Sequence, residues 1–266
     1  KKDSRAGFVF QAPEDPYRMN AMLDLLNQHN IQWAALKKDA VLNGVSFAAG
    51  NACAVSLDQP QYRLVRGIFD TITQFQDSLF YDVSAWTLPL AYGLQYAEVP
   101  KSVNLNELLD HQSNLEQLSG HFSFPEQEGV IAYAWEWSPF LSPRMTYQLL
   151  DAGYRLRVAT KKFTGQTTQG PVEFNQGTIL LAKGIQNHPT DTGFIRRLAQ
   201  ECDIKVYGLT SSMTPAGIDL GSRDIESLKK PQILLVAGEG VRAYDAGEIW
   251  HLLDQRYKIP VTITGP

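Results

Sequence analysis

The chain has 266 residues, a net charge of −4 and 20% charged residues, a composition typical of a globular protein able to bury a substantial core. The composition lacks the basic bias of nucleic-acid-binding proteins, so no nucleic-acid partner is expected. No stretch approaches the roughly 18 consecutive apolar residues of a membrane span, so no span is expected.

The first part of the chain alternates apolar strand patterns with one helical pattern. Apolar runs predict strands at 7–10, 31–36 and 52–57, and apolar residues at helical spacing predict a helix at 17–29. A turn is predicted at Asn43-Gly44, between short apolar segments. These elements give the order strand, helix, strand, hairpin, strand.

Residues 129–182 repeat this order. Equivalent pairs have equal separations in the two copies: eleven residues in Leu26–Lys37 and Leu150–Lys161, and three in Phe47–Gly50 and Phe174–Gly177. The loop after the lysine pair is three residues longer in the second copy, as expected where loops tolerate insertions. The sequence therefore contains an internal repeat.

A third copy begins near the C-terminus. An apolar strand is predicted at 232–237, a turn at Gly238-Glu239-Gly240, a helix at 245–255 and a strand at 259–264. The sequence ends there, so we interpret this segment as a truncated βαβ unit.

Strands alternating with helices of ten or more residues are typical of parallel sheets with right-handed crossovers. The sequence therefore predicts an α/β fold: two repeated Rossmann-like or flavodoxin-like βαβ units with parallel sheets, plus the truncated third βαβ unit. The predicted domains are 1–127, with an irregular insert at about 84–128, and 128–266, which continues into the third unit at 231–266.

Two cysteines, Cys53 and Cys202, are too few for a disulfide framework or a cysteine-based zinc site. Cys53 lies in a predicted strand and Cys202 at the end of a predicted helix. Both are interpreted as small buried hydrophobic residues.

Trp135-Glu136-Trp137 follows the first strand of the second copy. Ligands of open α/β sheets bind at the carboxyl ends of strands, and two indole rings with a carboxylate can stack on a sugar or hold a peptide amine. The alternative is packing between domains. Trp135, Glu136 and Trp137 are therefore candidate ligand-binding residues.

Two further candidates are Trp86 and Glu239. Trp86 lies in the aromatic stretch 81–89, which suits packing against another domain or contact with a substrate. Glu239 lies in a glycine turn between a strand and a helix, where backbone amides can bind an anion. Its carboxylate would repel phosphate, and Ala243 replaces the third glycine of a dinucleotide-binding fingerprint, which favours a plain turn.

Four segments resemble one protein family. They are Gly50–Val55 followed by Asp58–Leu64, Phe80–Pro89, Gly217–Ser222, and Gly238–Val241 leading into Gly247–Asp254. Together they resemble the region downstream of the peptidase domain in large bacterial zinc carboxypeptidase-like proteins, relatives of carboxypeptidase A. In those proteins, α/β segments follow the peptidase domain and lead into a domain like a class I glutamine amidotransferase.

The resemblance does not extend to catalytic residues. The family holds zinc with a His-x-x-Glu pair and a distant His, which leave a position open for an activated water. No histidine here has a glutamate three residues later, and His251 with Asp254 is the nearest imitation. Amidotransferase chemistry needs a cysteine on a strand-to-helix elbow, and neither cysteine has that context. No catalytic or metal-binding residue is therefore predicted, and zinc is expected only in an upstream peptidase domain.

The resemblance implies a non-catalytic accessory region that packs on, or modulates, its own upstream peptidase domain. It also implies an exported protein, periplasmic or extracellular, although residues 1–5 lack the apolar core of a signal peptide. The alternative is a two-lobed module that binds a small ligand, a peptide or a glycan. A weaker option is a hydrolase whose catalytic residues gather only in space.

Overall fold

The computed structural model describes residues 3–71, 87–110, 122–125 and 128–266. The chain forms two compact units, Lys1–Gly120 and His121–Pro266. The sequence-based boundary at 127/128 and the insert at 84–128 stay predictions, because much of that region lies outside the described residues.

The first unit has seven described strands and four described helices. The strands are β1 Arg5–Gln11, β2 Trp33–Leu36, β3 Ala40–Leu42, β4 Val45–Phe47, β5 Ala52–Ser56, β6 Gln95–Pro100 and β7 Leu109–Asp110. The helices are α1 Pro16–Gln28, α2 Tyr62–Phe69, α3 Leu88–Ala91 and α4 Leu105–Leu108.

Five of these strands form one sheet in the order β6-β1-β5-β2-β7. Every neighbouring pair is antiparallel. Helix α1 connects β1 to β2, which run in the same direction, but β5 lies between them and pairs with both. The remaining strands, β3 and β4, form a hairpin whose turn has positive φ at Asn43 and Gly44, as a tight two-residue turn requires.

Both faces of this sheet are buried. On one face, Phe8 and Phe10 of β1 belong to a cluster with α1 and α2. On the other, Val9 belongs to a cluster with the β3–β4 hairpin, which supplies Leu42 and Phe47. The central strands are consequently apolar at nearly every position.

The described residues of the second unit form ten strands and three α-helices. The strands are β8 Ala132–Trp135, β9 Arg157–Ala159, β10 Phe163–Thr167, β11 Gly170–Phe174, β12 Ile179–Ala182, β13 Tyr207–Leu209, β14 Ala216–Gly217, β15 Ile225–Ser227, β16 Ile233–Val236 and β17 Val261–Thr264. The helices are α5 Ser142–Asp151, α6 Thr192–Glu201 and α7 Ala243–Trp250; a 3-10 turn spans Lys183–Ile185 and a π-helical segment spans His251–Arg256.

The main sheet of the second unit contains the strand order of the first. The order β13-β8-β12-β9-β15 repeats β6-β1-β5-β2-β7, again with antiparallel neighbours. The pairing Gln11↔Ala52 in the first unit recurs as Trp135↔Ile179 in the second. The β10–β11 hairpin differs, because it extends the sheet beyond β13. Its Phe163 and Phe174 still cover one face of the sheet.

The third predicted segment forms a βαβ unit. Strands β16 and β17 pair in parallel, from Ile233↔Val261 to Val236↔Thr264, and α7 with the π-helical segment connects them. The turn before α7 contains Gly238 and Gly240, both with positive φ.

The predicted fold class is wrong in its main feature. The Rossmann-like parallel sheets expected in the first two units are antiparallel, and β16–β17 is the one parallel pair among the described strands. The physical reason is the third strand of each repeat, which returns between the two strands that the helix connects. A helix that connects two strands of the same direction suggests that these strands are parallel neighbours, and so does a continuous apolar run. Here the sheet is antiparallel, and its strands are apolar because a hairpin and helices bury both of its faces.

Gly7 tests the close packing of β1 against β5 and α4. A Cβ at this position would collide with the carbonyl oxygen of Val55 and lie 2.8 Å from Leu105 Cδ2. We expect Gly7→Ala to lower the free energy of unfolding by about 1–3 kcal/mol, because overpacking moves backbone.

The matched control is Gly67→Ala in α2, where an added Cβ would have no described atom within 4 Å beyond its own helix backbone and chain neighbours. This change should raise the free energy of unfolding by about 0.5–1 kcal/mol through helix propensity. Urea denaturation of both variants makes the comparison, and equal stability of Gly7→Ala and the unsubstituted chain would contradict the close packing at β1.

Candidate functional site

The three candidate residues after β8 have different environments. Trp135 is 0% exposed, and its Nε1 donates a hydrogen bond to Thr146 Oγ1 at 3.4 Å. Glu136 Oε1 accepts a hydrogen bond from the backbone N–H of Asn175 at 3.1 Å. Trp137 is 45% exposed. Trp135 and Trp137 therefore do not form the paired stacking surface that the sequence suggested. Trp135 is the last residue of β8, and beyond the end of a strand the side chains no longer alternate regularly between two faces.

The other two candidates do not join this group in the described structure. Glu239 is exposed in the turn between β16 and α7. Trp86 lies outside the described residues. Their roles in ligand binding stay predictions.

Trp137 lines an open apolar cleft of about 290 Å³, which we call the Trp137 cleft. Its walls come from α5 and the loop before it, from β9 and β12, from the segment before β16, and from the loop before β17. The apolar side chains that line it include Trp137, Tyr147, Leu150, Val158, Ile179 and Ile259. Thr146 also lines the cleft, and it accepts the hydrogen bond from the buried Trp135.

The Trp137 cleft contains one charged residue, Lys229, among the described residues that line it. The next residue, Lys230, is held by Asp151, with Nζ 2.8 Å from Oδ1. No comparable ion pair links Lys229 to any described residue. The cleft therefore combines an apolar lining with a single cationic side chain.

The sequence missed Tyr147, Lys229 and Ile259 as neighbours of Trp137. The internal repeat carries a signal for two of the positions. Equivalent positions of the two copies are 124 residues apart here, as Leu26 and Leu150 are. By this offset Trp137 occupies the position of Pro13 in the first copy, and Tyr147 occupies the position of the buried Leu23. Departures from the repeat thus mark the cleft, whereas Lys229 and Ile259 lie outside the repeat.

A second, polar pocket of about 770 Å³ lies in the first unit, beside the start of β1. Asp3, Arg5, Tyr62 and Lys101 are among its lining residues. The Arg5 guanidinium contacts three carboxylates at 2.7–2.9 Å, those of Asp3, Asp70 and Glu98. This guanidinium is therefore engaged in holding β1 to neighbouring elements rather than open to an anionic ligand.

The same network makes stability depend on pH. The hydrogen bond from Arg5 holds the pKa of Asp3 well below its ordinary range. The unfolded chain takes up the Asp3 proton near pH 3.9, whereas the folded chain takes it up only at lower pH. The contribution of Asp3 to stability is therefore present above about pH 4 and is lost as pH falls below that value.

We expect the free energy of unfolding to fall between pH 5 and pH 2, with a shallower fall in Asp3→Asn, which has no carboxylate to protonate. Guanidinium denaturation across this pH range measures how the free energy of unfolding changes with pH in each protein. Identical slopes in the two proteins would show that Asp3 is not linked to folding.

Both cysteines are buried, as the sequence predicted. Cys53 lies in β5 and Cys202 follows the last residue of α6. Burial raises the pKa of the Cys53 thiol well above its ordinary range and raises the pKa of the Cys202 thiol to about 11. Because a thiolate is the reactive form, neither residue is arranged as a nucleophile.

We expect both thiols to resist a thiol-specific disulfide reagent at pH 8 in the folded chain. In about 6 M guanidinium, a concentration that unfolds most proteins, both thiols should react completely. Absorbance of the released chromophore measures the two rates. Fast reaction of one thiol in the folded chain would show that this residue has an accessible thiolate, which would contradict its burial.

Within residues 3–71, 87–110, 122–125 and 128–266, no group of three or more His, Cys, Asp and Glu side chains is placed to hold a metal ion. Over the same residues, no helix combines the length and apolarity needed to cross a membrane.

Comparison with known proteins finds no matching family model, no matching curated protein and no matching solved structure. The resemblance to zinc carboxypeptidase-like proteins therefore stays a prediction from the sequence.

Proposed function

We propose that this chain is a non-catalytic accessory region of a zinc carboxypeptidase-like protein and that it packs on the peptidase domain through its C-terminal βαβ unit. The observation that carries the packing role is an uncovered apolar sheet face. Leu234 and Val236 are 64% and 41% exposed, whereas Leu235 between them is buried.

The register defines this face. Leu234 pairs with Thr262 and Val236 pairs with Thr264, so these four residues share one side of the two-stranded sheet, which we call the open face. Leu235 lies on the opposite side, where α7 packs against β16 and Ala246 is buried. On one side of the sheet α7 therefore covers β16, while Ile263 of β17 is 56% exposed there, and the other side is exposed.

An exposed apolar face on a parallel sheet is unusual. Parallel strands are found with both faces covered, and their sequences are then continuously apolar, as Ile233–Val236 is. A sheet of two strands is also marginally stable without further packing. Both considerations support burial of the open face against another protein surface, and exposed patches of this kind mark interaction sites.

The peptidase domain is proposed as that surface because of the sequence resemblance. In the family, the segments that resemble this chain follow the peptidase domain within one polypeptide. A covalently linked neighbour is present at high effective concentration, so a modest apolar face suffices to hold the two together.

Hydrogen exchange tests the packing role. In the natural full-length protein, backbone amides of β16 should exchange more slowly than in this chain alone, because the open face is then covered. The double substitution Leu234→Lys and Val236→Lys should remove that difference, since two ammonium groups oppose burial.

The matched control is Val41→Lys in β3, which is 71% exposed and distant in sequence from the open face. It should leave the slow exchange of β16 unchanged. Equal exchange of β16 in the full-length protein and in the chain alone would contradict the packing role.

A second candidate function is small-ligand binding by the second unit alone, which differs from the two-lobed module expected from the sequence. The Trp137 cleft favours it, because the cleft is concave, mostly apolar and has one charged group at its lining. This cleft is formed within the second unit and does not depend on the open face.

A further inference from the structure

We propose that the Trp137 cleft binds a small monocarboxylate that carries one bulky apolar group, with the Lys229 ammonium pairing with the carboxylate. The inference rests on the second candidate function, ligand binding, and is independent of packing through the open face. Residues of the open face, Leu234 and Val236, do not line the cleft.

The lining of the cleft determines the apolar part of the ligand. A volume of about 290 Å³ is at the lower end of small-molecule sites, which are commonly about 300–1,000 Å³. It therefore suits one aromatic or branched aliphatic group rather than an extended chain. Trp137 and Tyr147 supply aromatic surfaces that favour such a group. A glycan, which needs several polar partners, fits this lining poorly.

Lys229 determines the polar part. It is the one charged residue among the described residues lining the cleft, and no ion pair with another described residue occupies it. The neighbouring Lys230 is already paired with Asp151 and does not line the cleft. An ammonium beside an apolar surface favours an anionic partner, because part of the pair is removed from water on binding.

The cleft is built on fixed elements. Ile179 and Val158 are paired across β12 and β9, so two wall residues belong to the main sheet. Thr146 is held by the buried Trp135 beneath it. A site on paired strands and a packed helix is preorganised, which lowers the entropy cost of binding.

Two sources can supply this chemistry: the C-terminal residue of a peptide, or a free carboxylic acid with a short branched chain. Four probes separate them in calorimetric titrations at low salt: N-acetyl-phenylalanine and its amide, and isovalerate and its amide. We expect at least one acid to bind about tenfold more tightly than its neutral amide, as a charge-assisted contact would give. Whichever acid binds identifies the source.

Variants locate the contact. Lys229→Met should bring the affinity for the acid down to that for the amide, and Trp137→Ala should weaken both probes by about tenfold through loss of apolar contact. Lys230→Gln is the matched control, and it should keep the preference for the acid. Thermal unfolding of each variant shows whether it is folded. If Trp137→Ala does not fold, the loss of acid preference in Lys229→Met tests the proposal by itself.

The proposal is overturned if none of the four probes binds at millimolar concentration, if acid and amide bind equally, or if Lys230→Gln and not Lys229→Met removes the preference. Because the open face does not line the cleft, these results leave the packing role to its own hydrogen-exchange test.

Discussion

Strands β5 and β12 determine the architecture of their units, because each hydrogen-bonds with both of the strands that a helix connects. Once the third strand of the repeat occupies that position, the strands before and after the helix cannot be neighbours. The outer positions of the shared five-strand order are filled by β6 and β7 in the first unit, and by β13 and β15 in the second, where the β10–β11 hairpin extends the sheet beyond β13. The same order of the three central strands in both units follows from this one pairing choice.

Much of the local structure could be predicted from the sequence. The helix predicted at 17–29 corresponds to α1, and the turn at Asn43-Gly44 joins β3 and β4. The C-terminal βαβ unit forms with its expected parallel pairing. These features depend on periodicity and turn chemistry within a few residues, which a sequence displays directly.

Strand pairing could not be predicted in the same way. Val9 and Phe10 lie on opposite, equally buried faces of the sheet, so β1 lacks the apolar–polar alternation that usually reveals an antiparallel strand. The Trp137 cleft was predicted only in part, for a related reason. Trp137 was a candidate from the sequence, but Lys229 reaches the cleft from a segment 92 residues later, and no local pattern connects the two.

The two proposed roles use separate surfaces of the second unit. The open face of β16 and β17 presents Leu234 and Val236 beside two threonines and suits a protein surface, whereas the Trp137 cleft is small and has a cationic residue, which suits a small anion with an apolar group. An accessory region could therefore pack on a neighbouring domain and still present its cleft. Burial raises the pKa of both thiols, so neither cysteine is arranged as a thiolate nucleophile.

The central claim is that this chain is the non-catalytic part of a zinc carboxypeptidase-like protein. Metal analysis of the natural full-length protein beside this chain, combined with an assay for release of C-terminal amino acids from peptides, tests it most directly. The account predicts one bound zinc ion per full-length molecule, zinc-dependent release by that protein, and neither property in this chain. Zinc-dependent release by this chain, or a full-length protein that binds no zinc, would contradict it.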